Sequence, residues 1–183
     1  YDNYVLADGA AFFNIENGMI SLSQVSGTVN GQKLSGEVSV DANGESPVFD
    51  GNVFLHKVDL TALLPEEGIS GILDGNVNFS GTTDNPSVSG ALIGERLSYE
   101  GYDVERAKAV FAYHDDQLTL SQLEADRDGG HVEGKASYDR RSGDFYANLL
   151  ADHINLEGLP LPSPVSGVVS GYGMVEGHLL NGS

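Results

Sequence analysis

The sequence predicts an all-β protein: an elongated, curved antiparallel sheet, open on one side as a groove, built from tandem repeats of about 97 residues. Three observations lead there. Polar and apolar residues alternate with period two in one segment after another, as half-buried strands require. Glycine-containing dipeptides of the hairpin type punctuate the chain. The stretch ISLSQVSGTVNGQKLSGEVSVD (20–41) also returns, little changed, as LTLSQLEADRDGGHVEGKASYD (118–139).

The repetition extends beyond that stretch. Sliding the chain by 98 residues aligns Tyr1/Tyr99, Tyr4/Tyr102, Ala11/Ala109, Phe13/Phe111, Leu22/Leu120, Ser23/Ser121, Gln24/Gln122, Gly31/Gly129, Gly36/Gly134, Ser39/Ser137 and Asp41/Asp139. Other positions swap like for like, such as Ile20/Leu118 and Leu34/Val132. Past the turn after Asp41 the offset becomes 96, aligning Val58/Ile154, Leu60/Leu156, Leu63/Leu159, Ser70/Ser166, Gly71/Gly167, Gly75/Gly171 and Gly81/Gly177. The indel falls at a turn, where a chain tolerates it. We read a duplication, with one unit over 1–98 and a second, incomplete unit over 99–183.

Each unit is too long for one solenoid turn, so it must hold several strands. In order, alternation marks Ile20/Leu22, Val38/Val40, Val53/Leu55, Val58/Leu60, Leu73/Val77/Phe79, Ala109/Phe111/Tyr113, Leu118/Leu120, Val132/Ala136/Tyr138 and Phe145/Ala147/Leu149. Turns are expected at Asn30-Gly31, Asn43-Gly44, Asp50-Gly51, Asp74-Gly75 and Gly129-Gly130, which tolerate positive φ. Glycines within strands (Gly36, Gly71, Gly75, Gly81, Gly90, Gly94) are expected to mark bends, bulges or close backbone approach. DLTALLPEEG (59–68) is the one helix candidate, with Asp59 as cap and Pro65 as stop. Its counterpart NLEGLPLPSP carries three prolines, so a loop is expected in both units. The Tyr1/Tyr4 and Tyr99/Tyr102 pairs are expected at strand ends.

Composition narrows the function. Twenty-seven acidic residues against nine basic ones give a net charge of −18. Such a field repels nucleic-acid phosphates and disfavours docking on an anionic bilayer. There is no cysteine, hence no disulfide and no thiolate metal site. No run is apolar enough for a membrane-spanning helix. YDNYVLADGAAFF lacks a leader's basic region and an initiator Met, so the chain is expected to be an excised piece of a longer protein.

A sheet with one apolar face must cover it. No helices are foreseen to do so, and a register that simply repeats suggests a sheet that keeps growing rather than closing. We therefore expect an apolar stripe lining an open groove: Leu22, Val38, Val40, Val53, Leu55, Leu73, Val77, Phe79, Leu118, Leu120, Ala136, Tyr138, Leu149, Val169 and Val175. The alternative is a closed-core β-repeat of a surface or adhesin type, possessing a binding function for sugars. Keeping one CH₂ from water is worth roughly 0.8 kcal/mol, so a diacyl lipid needs on the order of 20–25 kcal/mol of matching apolar surface. One carboxylate in the stripe would cost several kcal/mol unless it stayed neutral.

The segment GILDGNVNFSGTTDNPSVSGAL (71–92), with its SGTxxNPxVSG pattern, resembles the repeat of the AsmA/TamB family of diderm bacteria. VDLTALLP and LTLSQLEADRDGGHVEGKASYD are similar to that family too. The resemblance implies a periplasmic β-taco, an aliphatic groove that shields phospholipid acyl chains and conducts lipid between inner and outer membrane. It further implies an inner-membrane anchor in the full-length protein, a role in outer-membrane biogenesis and an Omp85-type barrel as outer-membrane partner. Neither the N-terminal anchor nor the C-terminal partner-binding region of that family is found in this chain.

Sharper chemical signals are weak. DRDGGHVE (126–133) begins like a calcium loop but has Gly130 where the third oxygen ligand belongs, and reads as a hairpin turn. The five histidines show no metal or catalytic spacing, and Trp, the usual sugar-stacking residue, is absent. We expect no metal, no cofactor, no nucleic acid and no enzymatic activity. Unpaired terminal strands are expected to drive edge-to-edge dimers.

Overall fold

The computed structural model describes residues 5–64, 67–157 and 166–179. They form one antiparallel sheet of eleven strands in strict chain order. The strands are β1 (Leu6–Glu16), β2 (Met19–Val29), β3 (Gln32–Asp41), β4 (Val48–Asp59), β5 (Ile69–Gly81), β6 (Pro86–Tyr99), β7 (Tyr102–His114), β8 (Gln117–Arg127), β9 (Gly130–Asp139), β10 (Asp144–Asn155) and β11 (Val168–His178). The first and last do not pair with each other, so the sheet is open.

Tight turns explain the meander. Asn17-Gly18, Asn30-Gly31, Glu100-Gly101, Asp115-Asp116 and Asp128-Gly129 each join two strands with both φ values positive, between 49° and 84°. That is the two-residue hairpin geometry whose twist matches the flanking strands, and Asn, Asp and Gly reach it at little cost.

Three expected turns need correction. Asp50-Gly51 lies inside β4 and Asp74-Gly75 inside β5. Neither aspartate has positive φ, and both glycines serve contact instead of reversal. The Phe79 ring lies where a Cβ on Gly51 would stand, 2.6 Å from it, and the Ala91 carbonyl oxygen occupies the corresponding space at Gly75. The third turn is centred one residue earlier than expected, on Asp128-Gly129, so Gly130 opens β9 with its backbone against His153.

A loop was expected at 59–68, yet Leu60–Leu63 form one helical turn, α1. Asp59 caps it by accepting from the Thr61 amide at 2.9 Å. The Asp59 amide in turn donates to Gln32 Oε1 at 2.9 Å, fastening α1 to the β2–β3 hairpin. The proline-rich counterpart at 158–165, like Tyr1 and Tyr4, lies outside the described residues. Tyr99 and Tyr102 face each other across the β6–β7 turn.

Strand limits recur at fixed spacing. β2 (19–29) and β3 (32–41) return 98 residues later as β8 (117–127) and β9 (130–139). β4 (48–59) returns 96 residues later as β10 (144–155). Irregularities recur with them: a register shift between Leu22 and Val25 matches one between Leu120 and Leu123. Likewise the shift between Leu55 and Val58 matches that between Ala151 and Ile154. In the latter pair the bulge residues Lys57 and His153 have φ of 51° and 52°. Each bulge amide is satisfied from the next strand, Lys57 by the Asp74 carboxylate at 3.1 Å and His153 by the Ser170 hydroxyl at 2.8 Å.

The sheet has almost no enclosed core. Among the described residues only Val58, 1 % exposed, and Leu60, 8 % exposed, are fully buried apolar side chains, both at the β4–α1 junction. The accessible surface is 12158 Å². A compact monomer of this mass would expose about 8,500 Å². The difference is the signature of a single layer.

The candidate apolar binding face

Side chains directly opposite across a pair share a face, so the register assigns faces strand by strand. All fifteen stripe residues predicted from the sequence fall on the same one. Leu22 opposes Val38, and Val40 opposes Ile20. Val38 continues through Gly51 to Phe79, and Val53 pairs Val77. Leu55 and Leu73 lie on either side of the β4 bulge, opposite Gly75 and Val58. Val77 leads through Gly90 and Phe111 to Leu120, joining the two halves of the sheet. There Leu118 opposes Tyr138, and Leu120 opposes Ala136, which continues through Ala147 to Val175. Leu149 stands between Gly134 and Gly173, and Val169 opposes Ile154. None of the pairs just traced contains an aspartate or glutamate.

The bulges keep the face apolar. An extra residue in β2 and in β8 lets apolar residues three apart, Leu22/Val25 and Leu120/Leu123, point the same way. The same device aligns Leu55 with Val58, and Ala151 with Ile154. Period-two reasoning missed Val25, Leu123 and Ile154 for this reason, and Val58, though marked by alternation with Leu60, was left out of the predicted stripe. The tetrads LSQV and LSQL, with apolar ends three apart, carried the signal. Val88, Leu92 and Phe111 on β6 and β7 were also missed, and they belong to the face by register.

Glycine and phenylalanine alternate across strands on this face. Phe79 covers Gly51, Phe111 covers Gly90 and Phe145 covers Gly177, with ring carbons 2.6, 3.0 and 2.6 Å from where a Cβ would stand. Each ring lies over its neighbour's backbone, which flattens the apolar surface and lowers its exposure. Two hollows open on the face. One, of about 390 Å³, is lined by Val25, Val29, Leu34, Val38 and Val53 around Gly27 and Gly36. The other, of about 180 Å³, is lined by Leu118, Leu120, Ala136, Tyr138, Phe145 and Ala147. Nothing among the described residues forms a second layer over either.

The opposite face carries the paired ionised residues, with exposed Phe54, Ile93, Leu150 and Met174 among them. Its pairs include Glu37↔Asn52, Asp50↔Ser39, Lys108↔Glu124 and Asp126↔His131. A hollow of about 630 Å³ lies there, lined by Gln122, Glu124, Glu133, Lys135, Asn148, Leu150 and Tyr172. Tyr172 donates to Asn148 Oδ1 at 2.6 Å. All five histidines contact an aspartate: His56–Asp74, His114–Asp115, His131–Asp126, His153–Asp152 and His178–Asp144, at 2.6 to 3.0 Å. These pairs are largely solvent-exposed, where ion pairs contribute little. The hydrogen bond that the His131 imidazole makes to the Asp126 carboxylate raises the His131 pKa. His153 and Ser170 lower that of Asp152, and His178 and Ser142 that of Asp144. No group of three metal-ligating side chains is present among the described residues. The Asp126–Glu133 stretch is a hairpin end, not a closed coordination loop.

Compared with family models, curated proteins and solved structures, the chain matches none of them. Physical chemistry therefore defines the class of object: a single-layer β-meander with one continuous, predominantly apolar face that no second layer of the described residues covers.

Proposed function

We propose that the apolar face shields phospholipid acyl chains, and that the chain is a periplasmic segment of an envelope protein of the AsmA/TamB type. In this reading the sheet curves into a lipid-conducting groove between inner and outer membrane. The full-length protein is inner-membrane anchored and contributes to outer-membrane biogenesis, with an Omp85-type barrel as its partner. The two units, 1–98 and 99–183, would be successive lengths of one conduit. The recurrence of strand limits, bulges and bulge-satisfying side chains at 98 and 96 residues supports that division.

One observation carries the lipid reading: a predominantly aliphatic face running across eleven strands, in a chain of net charge −18, that no second layer of the described residues covers. Water is a poor partner for that much contiguous apolar surface, and monomeric soluble proteins rarely leave it bare. Aliphatic side chains without directional polar groups hold a chain without fixing its position, which suits sliding. We assign no reaction to the face.

The test is native mass spectrometry of the protein purified from a bacterial host, followed by solvent extraction and lipid analysis. Co-purified phospholipid, lost in Leu120→Asp while the circular-dichroism spectrum is retained, is the expected result. A lipid-free mass, no uptake of labelled lipid and no binding of a hydrophobic dye would discard the proposal in favour of a covered face.

A further inference from the structure

The polar face of the second unit holds an arrangement that the first unit does without. At offsets of 98 and 96, the apolar face around this position changes like for like: Val25/Leu123, Leu34/Val132 and Val53/Leu149. On the polar face the same strands diverge. Ser26 and Ser35 oppose each other on β2 and β3, and their counterparts on β8 and β9 are Glu124 and Glu133. Likewise Glu37 gives way to Lys135, Asp50 to Tyr146 and Asn76 to Tyr172. Two carboxylates directly opposite across a ladder repel each other, so this exchange works against the sheet. A hairpin of the same register needs neither of them, as β2 and β3 show.

The surroundings are ordered about that pair. Lys108, opposite Glu124 on β7, brings Nζ to 3.8 Å from its carboxylate. The Gln122 side-chain amide donates to the same carboxylate. Asn148 is held at both ends, accepting from the Tyr172 hydroxyl and donating to that of Tyr146. Its counterpart Asn52 has no such collar, and its Oδ1 is buried without a hydrogen-bond partner among the described residues. The second unit's groups line the hollow of about 630 Å³, a volume in the range of small-ligand sites.

The make-up of the hollow selects its ligand. Lys108 and Lys135 balance Glu124 and Glu133, so neither an anion nor a cation finds an excess of opposite charge there. Carboxylates and side-chain amides can each engage two hydroxyl groups, and an ammonium donates to a third. The Tyr172 ring, tethered through its hydroxyl, lies beside Leu150 and offers apolar surface to C–H groups. We propose that this hollow, across β8 to β10, is a binding site for a neutral saccharide. Gln122, Glu124, Glu133 and Lys135 take its hydroxyls, and Tyr172 with Leu150 takes its C–H face. Only Tyr172 comes from β11, and it is fixed to Asn148 of β10, so nothing in the site depends on what lies beyond β11. The site is independent of whatever covers the apolar face.

The experiment titrates the whole isotope-labelled chain with maltotriose, cellotriose and chitotriose at millimolar concentration, reading backbone and side-chain amide shifts by NMR. Saturable shifts at Gln122, Glu133, Lys135 and Asn148 are expected with at least one of the three. Their counterparts Gln24, Ser35, Glu37 and Asn52 should stay still, which makes the first unit a control within the same molecule. Glu133→Ser restores the first unit's residue. It should weaken sugar binding about tenfold, through loss of a charge-assisted hydrogen bond, while its thermal midpoint rises because the opposed carboxylates are gone. A merely structural Glu133 would lower the midpoint instead. No shift with any of the three sugars would overturn the proposal, as would equal shifts in the two units. So would unchanged binding in Glu133→Ser, or displacement of the sugar by spermidine, which would identify a cation site. Should Glu133→Ser unfold, the shift map of the wild-type chain still decides.

Discussion

Arg141 donates from Nε to Asp116 Oδ2 at 2.7 Å, linking the β7–β8 turn to the loop after β9, 25 residues away. Arg140 reaches the other carboxylate oxygen at 2.6 Å, and the Tyr113 hydroxyl donates to it at 3.0 Å. The contacts continue the β8–β9 ladder past its last pair, Gln117↔Asp139, where the Arg140 amide also donates to the Asp116 carbonyl at 2.8 Å. Charge-assisted bonds from Arg141, then Arg140, then Tyr113 hold the Asp116 carboxyl at a pKa of about 2.

Asp116 should therefore govern acid sensitivity. A carboxylate held lower in the folded state than its ordinary unfolded value near 4 stabilises the fold above that value. That contribution is lost as pH falls from about 4 to about 2. Asp116→Asn should be less stable at pH 7 and should show a smaller loss between those two values, measured as urea midpoints along a pH series. An unchanged acid profile would mean that the bond network does not persist in solution.

His131 runs the other way. Its pKa is raised, chiefly by the Asp126 hydrogen bond, so its stabilising contribution is complete below the ordinary histidine value near 6.5. It fades as pH rises through the raised folded value. Thermal midpoints taken from pH 5.5 to 8.5 should fall with pH in the wild type, and that component should vanish in His131→Gln. Proton NMR of the imidazole should place its titration above that of an unstructured peptide.

Gly134 and Gly173 flank the same Leu149 from opposite sides, yet they should respond differently to substitution. A Cβ on Gly134 meets the Asn148 carbonyl oxygen, whereas one on Gly173 meets nothing within 4 Å among the described residues. Gly134→Ala should cost roughly 1–3 kcal/mol through overpacking against backbone. Gly173→Ala should stay within about 0.5 kcal/mol of wild type. Chemical denaturation of the two variants checks both.

Lipid charge should matter if the apolar face loads from vesicles. The acidic exterior repels anionic headgroups across a Debye length of about 10 Å at 0.1 M salt. Transfer from zwitterionic vesicles should exceed transfer from anionic ones at low salt, and the gap should close near 1 M. Equal rates at low salt would place headgroup contact away from the acidic face.

Much of this was readable in the chain because alternation and duplication are both local signals. Ile20, Leu22, Val38 and Val40 declared a strand pair and its face before any coordinates. What alternation hid was the bulge: Gln24, with φ of 51°, breaks the period, so Val25 looked outward-facing when it is not. Asp50-Gly51 and Asp74-Gly75 misled for a different reason. The same dipeptide serves a turn or a tight crossing of backbones, and only the neighbouring strand decides which. The uncovered state of the face was not visible as such, since Leu120 carries the same pattern in a closed core as in an open layer.

Because each strand bonds only to its neighbours in the chain, disruption of one end leaves the rest of the ladder intact. Cooperativity in such an object is nearly one-dimensional, with opening free energy rising inward from both termini. Amide exchange should be fastest in β1 and β11 and slowest in β5 to β7. The short sequence separation of all pairings also removes the long loop closures that slow most β proteins, so hairpins can zip onto whichever pair forms first. A sheet of this kind can lengthen by added hairpins without waiting for a distant partner, and its growth during synthesis would need no completed domain.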